Sequence, residues 1–487
     1  MKHFLNIVSI GLGMLFLSSC EDFIDKQPLS DFTSDGKTNT TLTSKYKSLS
    51  EAETDLNGAY SKFKQDIFQL ENFVMSDVQS DNCYLGSDEV ASEEIDNLRI
   101  SSLNFKIGLN WGQYYGMAGT ATTVIENTKL MEEGTIDADS RKRIIAEAKF
   151  IRAYAYFDIV RFWGDAPMIL DLLPEITVDN IDEVYPIMYP ARTPEAEIYK
   201  QVVSDLETAI PDLTSSSKGA FKATKGAAYA LLAKVLATKG DKATRDYSAV
   251  VDYCDLVLKE GYELVTDYES LWLPDNKFTS ESIFEVYYTS EAPNWAYWVL
   301  LKEADGSVTW RRYCTPTHEL LAKYKPEDKR LASSFVFREV PYQVYYPSKN
   351  YPLAYKIREK NSDIILMRLA DVLLLKAEAL VELNKVDLAM PIVNRIRQRA
   401  GLTDLELNLP QDKARLAVET ERQLELVLEG HRWFDLIRNN RMVEVMSKHK
   451  GKDGNLLVPD VKAFRAHLPI PQSEKDKNVN LTQNEGY

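Results

Sequence analysis

A chain of 487 residues, 45% hydrophobic and 10% aromatic, is long enough for several domains or for one large repeat-built domain. Its formal charge of −15 argues against general nucleic-acid binding, which needs a basic stripe to neutralise phosphates. Four widely spaced cysteines and five histidines without ligand spacing give neither a disulfide framework nor a metal site.

The chain opens with a basic start, Met1-Lys2-His3, and an apolar run from Phe4 to Leu17, the layout of a secretion signal. The run falls short of the roughly 20 residues that span a bilayer. Its ending, Leu17-Ser18-Ser19-Cys20, resembles a bacterial lipobox. That resemblance implies removal of residues 1–19 and lipidation of Cys20, with more than one acyl chain for a stable anchor. Residues 20–48, rich in Ser, Thr, Asp and Lys, read as a flexible tether.

Order is expected from near Ser50, where Ser50-Glu51-Ala52-Glu53 fits a capping box and Leu56, Ala59, Tyr60 and Phe63 follow at helical spacing. The strongest predicted helix runs from about Ser140 to Trp163. Ile144, Ala148, Ile151, Ala155, Ile159 and Phe162 form one stripe, and Phe150, Tyr154 and Phe157 cover the other side, so it is expected at the centre. Thr193-Pro194-Glu195 predicts the next helix, with Thr193 as cap. Two helical hairpins follow. One is Thr224–Thr238 and Tyr247–Lys259; the other is Asp363–Leu383 and Asp387–Arg399, with Leu366, Leu369, Leu373, Ala377 and Leu380 facing inward. Such hairpins resemble degenerate tetratricopeptide repeats, which bury their faces only by stacking on neighbours. Residues 266–360 are aromatic-rich and carry short β-like runs such as Ile283–Tyr288. The expected fold is thus mostly α, one domain over 49–487. A helical part (49–265) and a C-terminal helical part (361–487) flank an irregular insert (266–360).

Several motifs stand in order along the chain: Glu147-Ala148-Lys149-Phe150-Ile151-Arg152-Ala153-Tyr154, Arg161-Phe162-Trp163-Gly164-Asp165-Ala166-Pro167 and Arg368-Leu369-Ala370-Asp371 with Lys376-Ala377-Glu378-Ala379. Asn394-Arg395-Ile396-Arg397, Glu421-Arg422-Gln423-Leu424-Glu425-Leu426, Glu429-Gly430-His431-Arg432-Trp433-Phe434-Asp435 and Leu468-Pro469-Ile470-Pro471 complete them. With these motifs behind a lipobox-like signal, the chain resembles the SusD/RagB family of outer-membrane nutrient-binding lipoproteins. The resemblance implies a glycan-binding role on the cell surface, beside a TonB-dependent transporter barrel. The departures are Lys376, where the family usually has an apolar residue, and Glu485, where it usually has Pro.

His431 and Asp435 lie four apart and share a helix face, but no activated Ser or Cys accompanies them. Glu429, His431, Arg432 and Asp435 are expected to satisfy one another between helices, and Arg152, Arg161 and Asp165 likewise. A glycosidase needs two placed carboxylates, and 73 acidic residues select no pair. No catalytic residue, cofactor or metal is assigned, although the acidic loop Ser87-Asp88-Glu89 leaves a calcium site open. The aromatics are more informative. Trp111, Trp163 and Trp433 fall in helical motifs and are expected in the core, and Trp272 is the most core-like of the rest. Sugar rings have apolar faces that stack on flat aromatics and hydroxyls that need polar partners. Asn294-Trp295-Ala296-Tyr297-Trp298 offers both, so Trp295, Tyr297, Trp298 and Trp310 are ligand-contact candidates, with Tyr84 reaching from another loop. The rival functions are a surface glycoside hydrolase and a binder of another nutrient such as peptide.

Overall fold

The computed structural model describes residues 43–173, 180–300, 312–341, 344–451 and 453–487. The signal, Cys20, most of the tether and Trp310 lie outside the described residues. Thr43–Leu173 and Tyr185–Tyr487 make one compact unit, and the short helix Ile181–Met188 begins outside it.

Order begins before the expected capping box. Ser44 Oγ donates to the Asn127 carbonyl at 2.7 Å and Tyr46 is buried, so residues 43–48 dock on the scaffold and the tether reading is too long at that end. The first helix, α1 (Leu49–Ser61), is capped by Ser48, whose Oγ accepts from Glu51 N. The Glu51 carboxylate reaches back to Lys47 N at 2.7 Å. Both Ser48-x-x-Glu51 and Ser50-x-x-Glu53 fit the box, but Glu53 is drawn off by Arg143.

Helices α2 (Phe105–Leu130) and α3 (Ala138–Trp163) pack side by side, and α1 lies against both. Asp137 caps α3 by accepting from Ser140 N at 2.8 Å. Every predicted inner residue of α3 is buried, and so are Phe150, Tyr154 and Phe157, which makes it the central helix. Ala148, Ala155 and Ala377 have no exposed surface at all. Ala148→Phe or Ala155→Phe is therefore expected to overpack the core and cost about 1–3 kcal/mol, read as a lower melting temperature. An unchanged melting temperature in both variants would contradict the close packing.

The next helix, α4 (Glu195–Ala209), follows Pro194 at the cap position, and Thr193 does not cap it. Thr193 instead exchanges two backbone hydrogen bonds with Ala166. The Asp165 carboxylate takes the cap, accepting from Glu195 N at 2.8 Å. A carboxylate is the stronger acceptor at a helix start.

The hairpins stack as expected: α5 (Lys225–Thr238) with α6 (Tyr247–Lys259), then α7 (Leu369–Glu382) with α8 (Val386–Arg399), and α9 (Gln411–Glu425) beyond. Lys376 on α7 reaches Asp255 on α6, which gives this unusual residue an ionic partner between the two hairpins. One expectation fails here. Residues 364–368 extend as a strand rather than starting α7, so Leu366 leaves the helical stripe. This strand pairs antiparallel with Ser282–Val286, and the β-branched Ile364-Ile365 and Ile283 pack in that ladder.

In chain order the strands are β1 (Cys83–Tyr84), β2 (Ser282–Val286), β3 (Thr315–Pro316), β4 (Phe335–Arg338), β5 (Tyr351–Ala354) and β6 (Ile364–Arg368). They pair as β1–β3, β2–β6 and β4–β5. The loop-rich insert is thus pinned to the helices at β1 and β6. Cys83, Cys254 and Cys314 are buried and free.

Candidate functional site

The charged residues of the C-terminal motifs are buried and paired. Arg368, at the end of β6, binds Glu281 at 2.8 Å, Glu425 at 2.6 Å and Glu429 at 2.7 Å. Arg330 binds Asp328 at 2.8 Å and Glu421 at 2.6 Å, and Lys356 binds Glu429 at 2.6 Å. Arg422 joins Asp371 at 2.8 Å to Asp435 at 3.0 Å. Arg438 adds a contact to Asp435 and another to Glu378.

This answers the question of the His431-Asp435 pair. His431 is the cap of a short helix, α10 (Arg432–Arg438). Burial, with Lys234 nearby, pushes its imidazole down to about 3, so it stays neutral. Burial alone would raise the Asp435 carboxyl, but Arg422 and Arg438 hold it at about 2. Neither group is poised to exchange a proton near neutral pH. The other arginines behave alike. Arg152 forms a two-pronged pair with Asp205 at 2.8 Å, and Arg161 pairs with Asp158 and lies 3.8 Å above the Phe434 ring.

The turn before α10 is built on Asp77. Its carboxylate accepts from Leu428 N at 2.9 Å, Gly430 N at 3.2 Å and Asn82 Nδ2 at 2.8 Å. Gly430 has φ +78°, and a Cβ there would stand 2.3 Å from Asn72, so only glycine fits. Asp77 lies in a π-type helical stretch, Ile67–Glu71 and Val74–Val78, a winding that often marks functional segments.

The same stretch supports the aromatic candidates. Trp295 Nε1 donates to Asp66 at 3.0 Å, and its backbone N donates to Gln69 at 2.8 Å. Trp295 is thereby clamped edge-on and half-buried. Tyr297 is also half-buried and packs against Val340, Tyr346, Tyr351 and Leu353. Trp298 is half-buried, one turn further along the short helix Ala296–Leu300, and makes a backbone bond to Trp295. Asn294 is not the free polar partner the sequence offered. It is fully buried, and its amide donates to the Ser362 carbonyl at 3.1 Å.

Tyr84 is corrected from contact candidate to core. It is 1% exposed, lies 4.2 Å from the parallel Tyr345 ring, and has His449 on a second side. No face is left for a ligand. Trp272, Trp111, Trp163 and Trp433 are buried as read. The acidic loop is also engaged, since Glu89 binds Lys106 at 3.0 Å. Among the described residues no three acidic, His or Cys side chains are grouped to hold a metal ion, and no helix is long and apolar enough to cross a membrane. Sequence reading missed two rings, Phe221 and Phe278, which the fold brings beside Tyr287. Their isolation along the chain gave no signal.

Stacked helical hairpins with a buried arginine–carboxylate network, bearing half-buried aromatics on an insert, define a helical-repeat binding scaffold. A family model described as "SusD family" matches residues 337–487, and one described as "Starch-binding associating with outer membrane" matches residues 22–236. SusD-like protein P38 of Formosa agariphila is 28% identical, covering 98% of this chain and 99% of its own. SusD-like protein P2 of the same organism is 27% identical, covering 91% and 93%. Surface glycan-binding protein A from Bacteroides fluxus superposes with a TM-score of 0.76 at 22% identity, over 90% of this chain and 99% of that one. The chain belongs to the SusD/RagB family.

Proposed function

We propose that this chain is a lipid-anchored glycan-binding protein of the outer membrane that captures oligosaccharide and passes it to a TonB-dependent transporter barrel without cleaving it. The binding module begins at about residue 43 and is held to the membrane through Cys20. Family membership and the glycan-binding relatives support the ligand class. The observation that carries the site is the half-buried Trp298 on a short helix whose neighbour Trp295 is clamped by Asp66 and Gln69. A rigid frame with a partly open ring suits stacking on a pyranose face.

One stacked face that removes ~40 Å² of apolar area contributes roughly 1 kcal/mol. A few such platforms, less ordering costs, give a Kd between about 1 mM and 1 μM, weak enough for hand-over. The test begins with a glycan array on the purified protein, followed by titration of Trp298→Ala and Tyr84→Ala. Trp298→Ala should weaken binding by roughly fivefold to tenfold at an unchanged melting temperature. Tyr84→Ala should melt earlier, since removal of a buried aromatic costs about 3–5 kcal/mol. If Trp298→Ala instead melts early and keeps full affinity, the ring belongs to the core and the ligand lies elsewhere.

A further inference from the structure

Phe221, Phe278 and Tyr287 form a cluster of three rings with centroids 5.7 to 6.2 Å apart. Phe221 is 50% exposed and Tyr287 36%, unusual for large rings already in mutual contact. The cluster is built, not incidental. The loop bearing Phe221 is bound to the strand and loop bearing the other two, with Glu285 N donating to Ala220 O at 2.9 Å and Gly219 N to Thr279 O at 3.0 Å. Gly219 permits the approach, because a Cβ there would lie 2.8 Å from Phe278 Cα. Phe278 sits at φ +53°, a strained conformation for a bulky residue, held by its N–H on the Glu285 carboxylate at 3.1 Å.

Two ammonium groups border the rings. Lys64 Nζ stands 5.9 Å from the Tyr287 centroid and 5.7 Å from that of Tyr288, and forms no ion pair among the described residues. Lys277 Nζ is 5.0 Å from the Tyr287 centroid and is already bound to Asp363. A cation with no ion pair among the described residues, beside exposed rings, is notable on a chain of net charge −15. Three ring faces fit the apolar faces of a sugar, and the Lys64 ammonium fits one anionic substituent.

We propose that Phe221, Phe278, Tyr287 and Lys64 form a second platform that takes an acidic oligosaccharide, a pyranose chain carrying a carboxylate or a sulfate ester. It rests on the glycan-binding reading for the ligand class, but shares no residue with the Trp298 site. Lys64, beside Tyr287, and Asp66, which accepts from Trp295, lie two residues apart in the chain.

The test is titration calorimetry of the purified protein with oligogalacturonate, a sulfated galactan oligosaccharide and a neutral maltooligosaccharide of matched length. At least one anionic probe should bind, more weakly at high salt. Lys64→Gln should weaken it about fivefold, as for one lightly screened ion pair. Tyr287→Ala and Phe221→Ala should each weaken it roughly fivefold to tenfold, with melting unchanged. Trp298→Ala should leave it within about twofold. The tighter of the two anionic probes identifies the substituent. The proposal is overturned if neither anionic probe binds, or if binding survives Lys64→Gln and both ring variants. Loss of neutral-glycan binding in Trp298→Ala bears on the first site alone, so the two readings fail separately.

Discussion

Arg368→Ala should remove about 3–5 kcal/mol of stability, because it strips a shared partner from three buried carboxylates. Glu281, Glu425 and Glu429 are all under a tenth exposed, and each gives an oxygen to this guanidinium. Arg399 and Lys356 remain to hold them in part. The Glu425 carboxyl, which burial alone would raise, is held well below the usual range by Arg399, Arg368 and Arg330 together. An internal comparison sets the scale. Lys376→Ala breaks an ion pair whose acid, Asp255, is 42% exposed on its side chain, and should cost no more than about 1 kcal/mol. Urea midpoints of the two variants should therefore separate widely. Equal midpoints would mean that the buried network adds nothing beyond a surface pair.

The second large effect is on acid stability. His431 titrates near 6.5 in an unfolded chain but at about 3 in the fold, where burial disfavours its charge. Protons thus bind the unfolded state first. The contribution of His431 is fully present above about pH 6.5 and is lost as pH falls toward 3, by up to about 4–5 kcal/mol at 1.36 kcal/mol per pH unit. Asp435, held at about 2, has the same sign over a lower window, from its ordinary value downward. Three buried carboxyls oppose them. Burial pushes Asp77 up to about 6 and Asp96 and Glu285 up to about 7, so their protonation favours the fold as pH falls from neutral. Melting temperature should hold or rise from pH 7 to about 5, where the three carboxyls outweigh His431, and fall below about 4, where the groups with depressed values take up protons. His431→Asn should start from a lower melting temperature, and the gap to the parent should narrow as pH falls from 6 to 4. A variant with an unchanged slope would mean that His431 does not stay neutral in the fold.

Much of the scaffold was legible because helical periodicity is a local signal. The α3 stripe and both hairpins followed from it within a few residues. The errors came where a distant group decided a local outcome. Asp165 took the α4 cap from Thr193, and strand pairing with β2 drew Ile364–Arg368 out of the helix. The candidate site was less legible for the same reason. Tyr84 sits in a polar loop, yet Tyr345 and His449 close over it. Phe221 and Phe278 look unremarkable alone and become neighbours only through Gly219 and Glu285. The charged residues of Glu429–Asp435 are buried and paired, but with Arg368, Lys356, Asp81, Arg422 and Arg438 rather than with one another, and spacing along the chain could not name those partners.

The turn that Asp77 organises joins residues from opposite ends of the polypeptide. Asp77 holds Leu428 and Gly430, and Asp81 holds Arg432 at 2.7 Å, contacts between residues 351 to 353 positions apart in the chain. A chain made N-terminus first must therefore carry these two acids, uncovered, until residues 428–432 have been made. Forming so non-local a contact carries a loop-closure cost and tends to slow folding. It also makes completeness a condition of folding: a product broken off before residue 428 leaves Asp77 and Asp81 without partners and exposes the core to proteolysis.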